Sequence, residues 1–464
     1  SHPEYGTVTT DDQGRFSLPV EGGGTLTVVY QKQGLISVQR KVYVPWNDNA
    51  IAETVVMITE DAVATTLTFD GNADTVVTHK SEDVVDDAGT RAMTMVFSGD
   101  NKAYLLDEEG NDVQELTTIT TRATEYPTLE SMPAKLPPTS AFTYCTELSV
   151  DGAQRVRFEK PVTMYVDNFL GFPVGSIVPV GYYDRDKGIW VPSENGVVVK
   201  LLDVGGNGIV DALDADGDGG PDDLNGDGFY IDEVKGLSNE QRYLPDTTYW
   251  RASIKHFTPC DLNWPIGAPP GAIPPNAGGI TVVDQQDDTK HGTDIQCIAS
   301  FVEQRSRVFH EDIPIPGTDM MLHYTSNRVA GYKPGVISVP ASGDTVPESL
   351  LKILVRVNVA GRSFKVELPP EPDQIAEFEW DGLDYLGKPV TGTVMAYVKT
   401  GFVYNGVYYV PSRFGSAFGQ PGESEFTIPS REEVTLWQYG KVPIARSTGV
   451  VAEGWTLSGH HQLS

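Results

Sequence analysis

The sequence predicts an all-β protein in which several β-sandwich domains follow one another in series, interrupted by one long acidic loop. Three observations carry this expectation. Apolar and polar residues alternate in short runs, as at Leu26, Val28 and Tyr30, which is the period of a half-buried strand. Gly and Pro, 47 and 32 residues, punctuate those runs with turn signals. Amphipathic helical periodicity is nearly absent, and one short helix is expected at 238–244, where Ser238 and Gln241 make a capping box. At 464 residues the chain exceeds a single core, which implies roughly three or four domains of about 100–150 residues.

Residues 1–60 read as short strands with tight turns at Asp11–Gly14 and Gly22–Gly24, continuing through Val42-Tyr43-Val44. This stretch resembles an incomplete carboxypeptidase-regulatory-like or collagen-adhesin B-type sandwich that lacks its usual first strand, which leaves an open sheet edge. A Thr/Val-rich β domain is expected over 61–155, and a second, loosely similar to a ZU5 fold, over 156–264. Residues 265–297 begin with Pro265, Pro269-Pro270 and Pro274-Pro275 and read as an exposed linker. One or more Ig-like sandwiches are expected over 298–464. There Phe402 to Tyr409 predicts a hairpin turning at Asn405-Gly406, because Asn-Gly favours a type I′ turn.

The formal net charge is −30. A surface this acidic repels nucleic acid and anionic membranes and attracts divalent cations. No apolar run is long enough for a membrane-spanning helix. The chain opens Ser1-His2-Pro3-Glu4, which reads as a processed product or an excised fragment. Three cysteines are too few for a disulfide framework. Cys260 and Cys297 flank the Pro/Gly-rich loop and are candidates for pairing or for free thiols, with Cys145 a buried thiol.

The acidic loop, 203–233, holds ten carboxylates and no Lys, Arg or His. In an EF-hand-type loop, side-chain oxygens come from positions 1, 3, 5, 9 and 12, with Gly at position 6 for the sharp turn. Starting at Asp203, this spacing places Asn207 at 5, Gly208 at 6, Asp211 at 9 and Asp214 at 12. A second frame from Asp214 is the fullest, with Asp216, Asp218, Gly219, Asp222 and Asn225 at 3, 5, 6, 9 and 12. The third, from Asp223, supplies Asn225, Asp227 and Gly228, then fails at Ile231 and Val234, so Asp232 or Glu233 must substitute. Shared residues imply two or three ions about a loop-length apart, and the stretch resembles thrombospondin type 3 repeats. Hard oxygen donors select Ca²⁺. A solvated acidic linker would account for the charge but not for Gly at position 6 in every frame.

Nothing comparable points to catalysis. There is no His-Glu-x-x-His, Gly-x-Ser-x-Gly or phosphate loop, and Gly415–Gly419 resembles a nucleophile elbow only superficially. His256 reads as a packed polar residue, and His460-His461 as surface. Tyr404, Tyr408 and Tyr409 are candidates for a binding face, although at alternating positions half are expected in the core.

Several longer stretches together resemble the N-terminal, pre-repeat region of large bacterial RHS/YD-repeat proteins. They are 166–175 (Val-Asp-Asn-Phe-Leu-Gly-Phe-Pro-Val-Gly), 178–186 with Trp190-Val191-Pro192, His256-Phe257-Thr258-Pro259, and Asn263-Trp264-Pro265. Others are Ile315–Asp319 with Leu322-His323-Tyr324, Trp380-Asp381-Gly382-Leu383-Asp384, and Gly454-Trp455-Thr456-Leu457. The YD repeats themselves are absent, and Cys260 stands where that family leads one to expect Trp. The resemblance implies an extracellular or bacterial cell-surface location. Together these readings favour a non-enzymatic, calcium-stabilised structural or adhesive scaffold. Its partners would be calcium and either a surface receptor or identical subunits joined into a fibre. The stalk of an RHS-type polymorphic toxin and a secreted hydrolase with an unrecognised site are the alternatives.

Overall fold

The computed structural model describes the chain except for residues 47–49, 108, 138–139, 154, 239–241, 280, 283–309, 326–335, 391, 409–425, 428–430, 432, 447–454 and 458–464. Among the described residues every regular element is a strand apart from one 3-10 turn, Asp232–Val234. The fold is all-β and built from several sheets.

The chain begins with an antiparallel pair, Gly24–Tyr30 and Val38–Val44, in which Gly24 lies opposite Val44 and Tyr30 opposite Val38. On the outer edge of this pair Ser1 exchanges two hydrogen bonds with Val29, so the start of the chain covers part of the edge. The inner edge docks through Ile36, which packs with Tyr126, Met132, Phe142 and Cys145. Arg40 donates to the Met132 carbonyl at 2.9 Å, and Tyr183 donates to Gln39 at 2.7 Å.

The central sandwich joins two sheets. One runs Ile189–Pro192, Gly181–Asp184, Pro259–Asp261, Cys145–Val150, Thr118–Glu125, Thr65–Thr68. Its partner runs Ile177–Val178, Gly196–Leu202, Thr248–Phe257, Val156–Asp167, Met93–Ser98, Val76–Lys80. Strands from 61–155 and from 156–264 therefore join side by side in both sheets, at Cys145–Val150 against Pro259–Asp261 and at Met93–Ser98 against Val156–Asp167, and share one core, in which Met95, Phe97 and Leu148 meet Phe158, Met164 and Trp250. Turn spacing marks where strands end but not which strands pair. Cys145 sits opposite Asp261, a partner far away in sequence.

Asn168 shows what the 166–175 stretch does. Its amide donates to the Phe172 carbonyl (2.8 Å), while its oxygen accepts from Phe172 N–H (2.9 Å) and the Trp250 indole (2.7 Å). The turn so closed stacks Phe172 on Trp264, 4.2 Å between ring centroids, and Trp264 meets Trp250 edge to face at 4.5 Å.

The second sandwich packs a five-stranded sheet, Arg362–Leu368, Leu350–Val359, Gly392–Asn405, Glu433–Arg446, Phe426–Thr427, over Thr281–Val282, Val336–Pro340, Ile375–Glu379. The expected hairpin at Asn405-Gly406 does not form. Gly406 lacks the positive φ of a type I′ turn, and Val407–Tyr408 pairs instead with Ile266–Gly267. Glycine is required there for a different reason: a Cβ would lie 2.3 Å from Ile266 Cδ1. Nor is the described part of 265–297 a free linker, since Ile266 is buried and Tyr404 OH bonds the backbone of Ile273.

The helix expected at 238–244 is also absent where the chain is described, at Ser238 and 242–244. Leu237 and Tyr243 both enter one apolar cluster. On a helix, residues six apart point about 120° from each other, wider than an apolar stripe of about 100°.

Arg431 ties the two sandwiches together. It donates to Asp86 at 2.7 Å, to Glu125 at 3.1 Å and to the Thr143 carbonyl at 2.9 Å. Arg91 engages the same two carboxylates, and Phe169 lies against both guanidinium groups.

His79 is fully buried, with Nδ1 3.0 Å from Thr65 Oγ1, and burial pushes its pKa down to about 4. Unfolded, the ring binds a proton near its ordinary 6.5. Stability is therefore complete above that pH and is lost as the pH falls from 6.5 towards 4, by up to about 3 kcal/mol. Melting temperature measured across that range should fall in the wild-type chain and fall less steeply in His79→Gln.

Candidate metal centre

The strand Gly196–Leu202 pairs with Ala212–Asp214, Lys200 opposite Asp214 and Leu202 opposite Ala212, so the first acidic loop is the connection of a short hairpin. Val210, Leu213, Ala215, Val234 and Leu237 punctuate the acidic stretch, and all sit in one cluster with Val199, Leu201, Tyr165 and Tyr249. These apolar residues fasten the loops to the sheet, with Asp214 and Glu233 buried alongside them and exposed carboxylates such as Asp216 and Asp218 on the outer side.

Three turns of the chain then repeat one geometry. Asp203 accepts from Gly208 N–H at 2.7 Å, Asp214 from Gly219 N–H at 3.0 Å, and Asp223 from Gly228 N–H at 2.7 Å. Each is a carboxylate closing on the N–H five residues later. The glycines at that position have φ of +83°, +86° and +92°, a region L side chains seldom enter. The residue before each glycine, Asn207, Asp218 or Asp227, accepts from the N–H two residues on, at 2.9, 2.7 and 2.8 Å.

Position 9 acts on the start of the loop. Asp211 accepts from Val204 and Gly205, and Asp222 accepts from Ala215. In the third turn Glu233 takes this part, accepting from Leu224 at 2.9 Å and Asn225 at 2.7 Å. Its other oxygen accepts from Arg251 at 2.7 Å, and its carbonyl from Tyr165 OH at 3.0 Å. Asp232 also reaches this turn, accepting from the Asn225 amide at 2.7 Å, while Asn225 accepts from Asp227 N–H. Hydrogen bonds from Gly208 and its neighbours pull the Asp203 carboxyl below its ordinary range.

Asp214, Asp216 and Asp218 come together, each offering a carboxylate oxygen within 4.8 Å of the others. Calcium–oxygen bonds of 2.3–2.6 Å place opposite ligands about 5 Å apart, so this spacing suits one calcium ion. Asp214 is buried, and Asp216 and Asp218 are exposed. The first turn is poorer, because position 3 is Gly205 and offers no side chain. Sequence spacing missed the second glycine of each turn, at Gly206, Gly217 and Gly226, all with positive φ. It also left the choice between Asp232 and Glu233 open. The Asp-x-x-Gly-x-Gly repeat carried the first signal. The second depended on Arg251, on a strand no spacing rule connects to the loop.

The catalytic candidates do not assemble. His256 packs edge-on against Tyr182 at 4.4 Å, and burial lowers its pKa. Tyr404 is buried. Cys145 and Cys260 are buried thiols, both pushed upward by burial. Cys297, Tyr409, Gly415–Gly419 and His460-His461 lie outside the described residues, and with them the Cys260–Cys297 pairing.

Replacing Glu233 with Ala removes the acceptor of two backbone N–H groups and of Arg251. The expected result is a loss of about 2 kcal/mol or more and faster proteolysis between 224 and 231, read by mass spectrometry of the cleavage products.

Comparison with known proteins changes the family expectation. Residues 1–57 match the sequence model of the teneurin TTR-like domain. Mouse teneurin-3 is 32% identical over 158 residues, 34% of this chain and 5% of its own length. Human teneurin-4 is 35% identical over 161 residues, again 34% and 5%. Teneurin-1 of Caenorhabditis elegans is 26% identical over 173 residues, 37% and 6%. A solved N-terminal domain of a Streptococcus gordonii adhesin aligns over 91% of this chain and 99% of its own, at 7% identity and a TM-score of 0.12, too low to bear on the fold. The chain thus spans about a twentieth of the length of the curated relatives it matches. The expected kinship with bacterial RHS/YD-repeat proteins is corrected by these matches: the similarity found runs to animal teneurins and, over residues 1–57, to their TTR-like domain.

Proposed function

We propose that this chain is an extracellular structural or adhesive scaffold, not an enzyme, whose acidic stretch is locked by two or three calcium ions. The observation that carries the reading is the threefold repeat of one carboxylate–glycine turn, with Asp214, Asp216 and Asp218 converging in the middle one. The first ion would be held by Asp203, Asn207, Asp211 and Asp214. A second would be held by Asp214, Asp216, Asp218, Asp222 and Asn225, and a third by Asp223, Asn225, Asp227 and Asp232. When bound, calcium supplies positive charge that cancels the mutual repulsion of these groups, roughly 1–4 kcal/mol per pair at ~4 Å. The chain's own residues do the rest: glycines admit the turns, and Glu233 with Arg251 pins the last one to the sheet. Sites of this kind in extracellular modules bind with Kd of about 10⁻⁴–10⁻³ M, which suits the calcium level outside cells.

A calcium titration followed by thermal melts tests this. Melting temperature should rise markedly with calcium and not in Asp216→Ala/Asp218→Ala. A melt indifferent to calcium would remove the proposal.

Self-assembly into a fibre is the variant in which a strand from a second copy adds to the outer edge of Gly24–Tyr30, beyond the point that Ser1 occupies. Filaments should then appear by negative-stain microscopy in calcium. Uniform monomers at high concentration would exclude this variant and leave the calcium reading untouched.

A further inference from the structure

A cleft of about 620 Å³ opens on the first sandwich, within the size range of small-molecule sites. Its floor is one face of the sheet that holds Val76–Lys80, Met93–Ser98, Val156–Asp167 and Thr248–Phe257. Register sets Lys80 opposite Thr94 and Asp167 opposite Tyr249. Met93, Met95, Val166 and Trp250 point into the core, so alternation puts Thr94, Asp167 and Tyr249 on the far side. The wall is the segment Arg242–Thr248. It is pinned by Tyr243 OH, which donates to Thr94 Oγ1 at 3.0 Å, and by Asp246 N–H, which donates to the Leu201 carbonyl at 2.8 Å.

Much of the polar lining is already engaged within the protein. Thr94 takes the Tyr243 hydroxyl, Thr247 donates to the Leu244 carbonyl at 2.6 Å, and Thr248 accepts from the Asn168 amide at 3.1 Å. The rest of the Asn168 amide is spent on Phe172 and Trp250. Among the charges, Lys80 pairs with Asp83, and Asp246 with Lys200 at 2.6 Å.

Asp167 and Arg242 are left over, and they carry opposite charges. One Asp167 oxygen accepts Ala92 N–H at 2.8 Å, but among the described residues no cation forms an ion pair with this carboxylate. Burial pushes its carboxyl up, against the pull of Ala92 N–H and of Lys80. Arg242 is exposed, and among the described residues no carboxylate pairs with it. A half-buried charge without a partner costs stability, and a ligand that supplies the opposite charge recovers that cost.

We propose that this cleft binds a small zwitterion, an amino acid or a short peptide with free ends, its ammonium on Asp167 and its carboxylate on Arg242. Phe169 and Tyr249 supply the apolar surface against which the rest of such a ligand lies. A neutral sugar is less well served, because the hydroxyl and amide groups it needs are engaged elsewhere. A simple cation would leave Arg242 unmatched, and a simple anion would meet Asp167. The proposal stands apart from the calcium reading and uses none of its residues.

The test is calorimetric titration of the full chain with alanine and trialanine, each also in N-acetylated and C-amidated form. At least one zwitterion should bind, and blocking either of its ends should weaken binding about tenfold or more. The tighter of the two assigns the source as free amino acid or peptide. Asp167→Asn, which keeps an oxygen for Ala92 N–H, should no longer distinguish the zwitterion from its N-acetylated form. Arg242→Gln should no longer distinguish it from the amide, and because Arg242 is exposed this variant should melt with the wild type. Failure of both zwitterions to bind, equal binding of the blocked forms, or unchanged selectivity in Arg242→Gln would each overturn the proposal.

Discussion

The acidic stretch depends on a carboxylate bonding backward to a backbone N–H five residues on, repeated from Asp203, Asp214 and Asp223. That bond turns the chain sharply, and the turn demands glycine at its end. Once the chain is turned, the intervening Val210, Leu213 and Val234 pack into the cluster on the sheet, and Asp214, Asp216 and Asp218 come together in the middle turn. Acidity, glycine spacing and apolar punctuation are thus one constraint expressed three ways. Glu233 extends it into the sandwich, because the carboxylate that closes the last turn also meets Arg251 on the Thr248–Phe257 strand.

Much of this was legible from sequence because it is local. Strand alternation reports which side of a residue meets the core, and a turn of fixed length reports its own spacing, so the all-β class was readable without knowing any partner. Non-local pairing left no such trace. The shared core of 61–264 rests on contacts such as Cys145 opposite Asp261, and the two halves were read as separate domains for that reason. Asn405-Gly406 failed in the opposite sense. The dipeptide favours a hairpin, but Ile266 from a distant segment occupies the space, and tertiary packing overrides the local preference. The capping signal at Ser238 lost in the same way to the burial of Leu237 and Tyr243.

The stretches that suggested a bacterial repeat protein have a structural role that explains why they stand out. Asn168, Phe172, Trp250 and Trp264 form a hydrogen-bonded aromatic centre in the first sandwich. The similarity found is to the teneurin TTR-like domain at residues 1–57 and to animal teneurins over about a third of the chain.

Arg431 has a mechanical consequence. Its guanidinium lies against Phe142 and Phe169 and bonds groups on three separate segments, Asp86, Glu125 and Thr143. Pulling the halves apart would have to break these contacts in parallel rather than one after another. Ile266 and Tyr408, paired across the same junction, add resistance in shear. The two sandwiches are therefore joined by contacts from several separate segments, and separating them means breaking those contacts together.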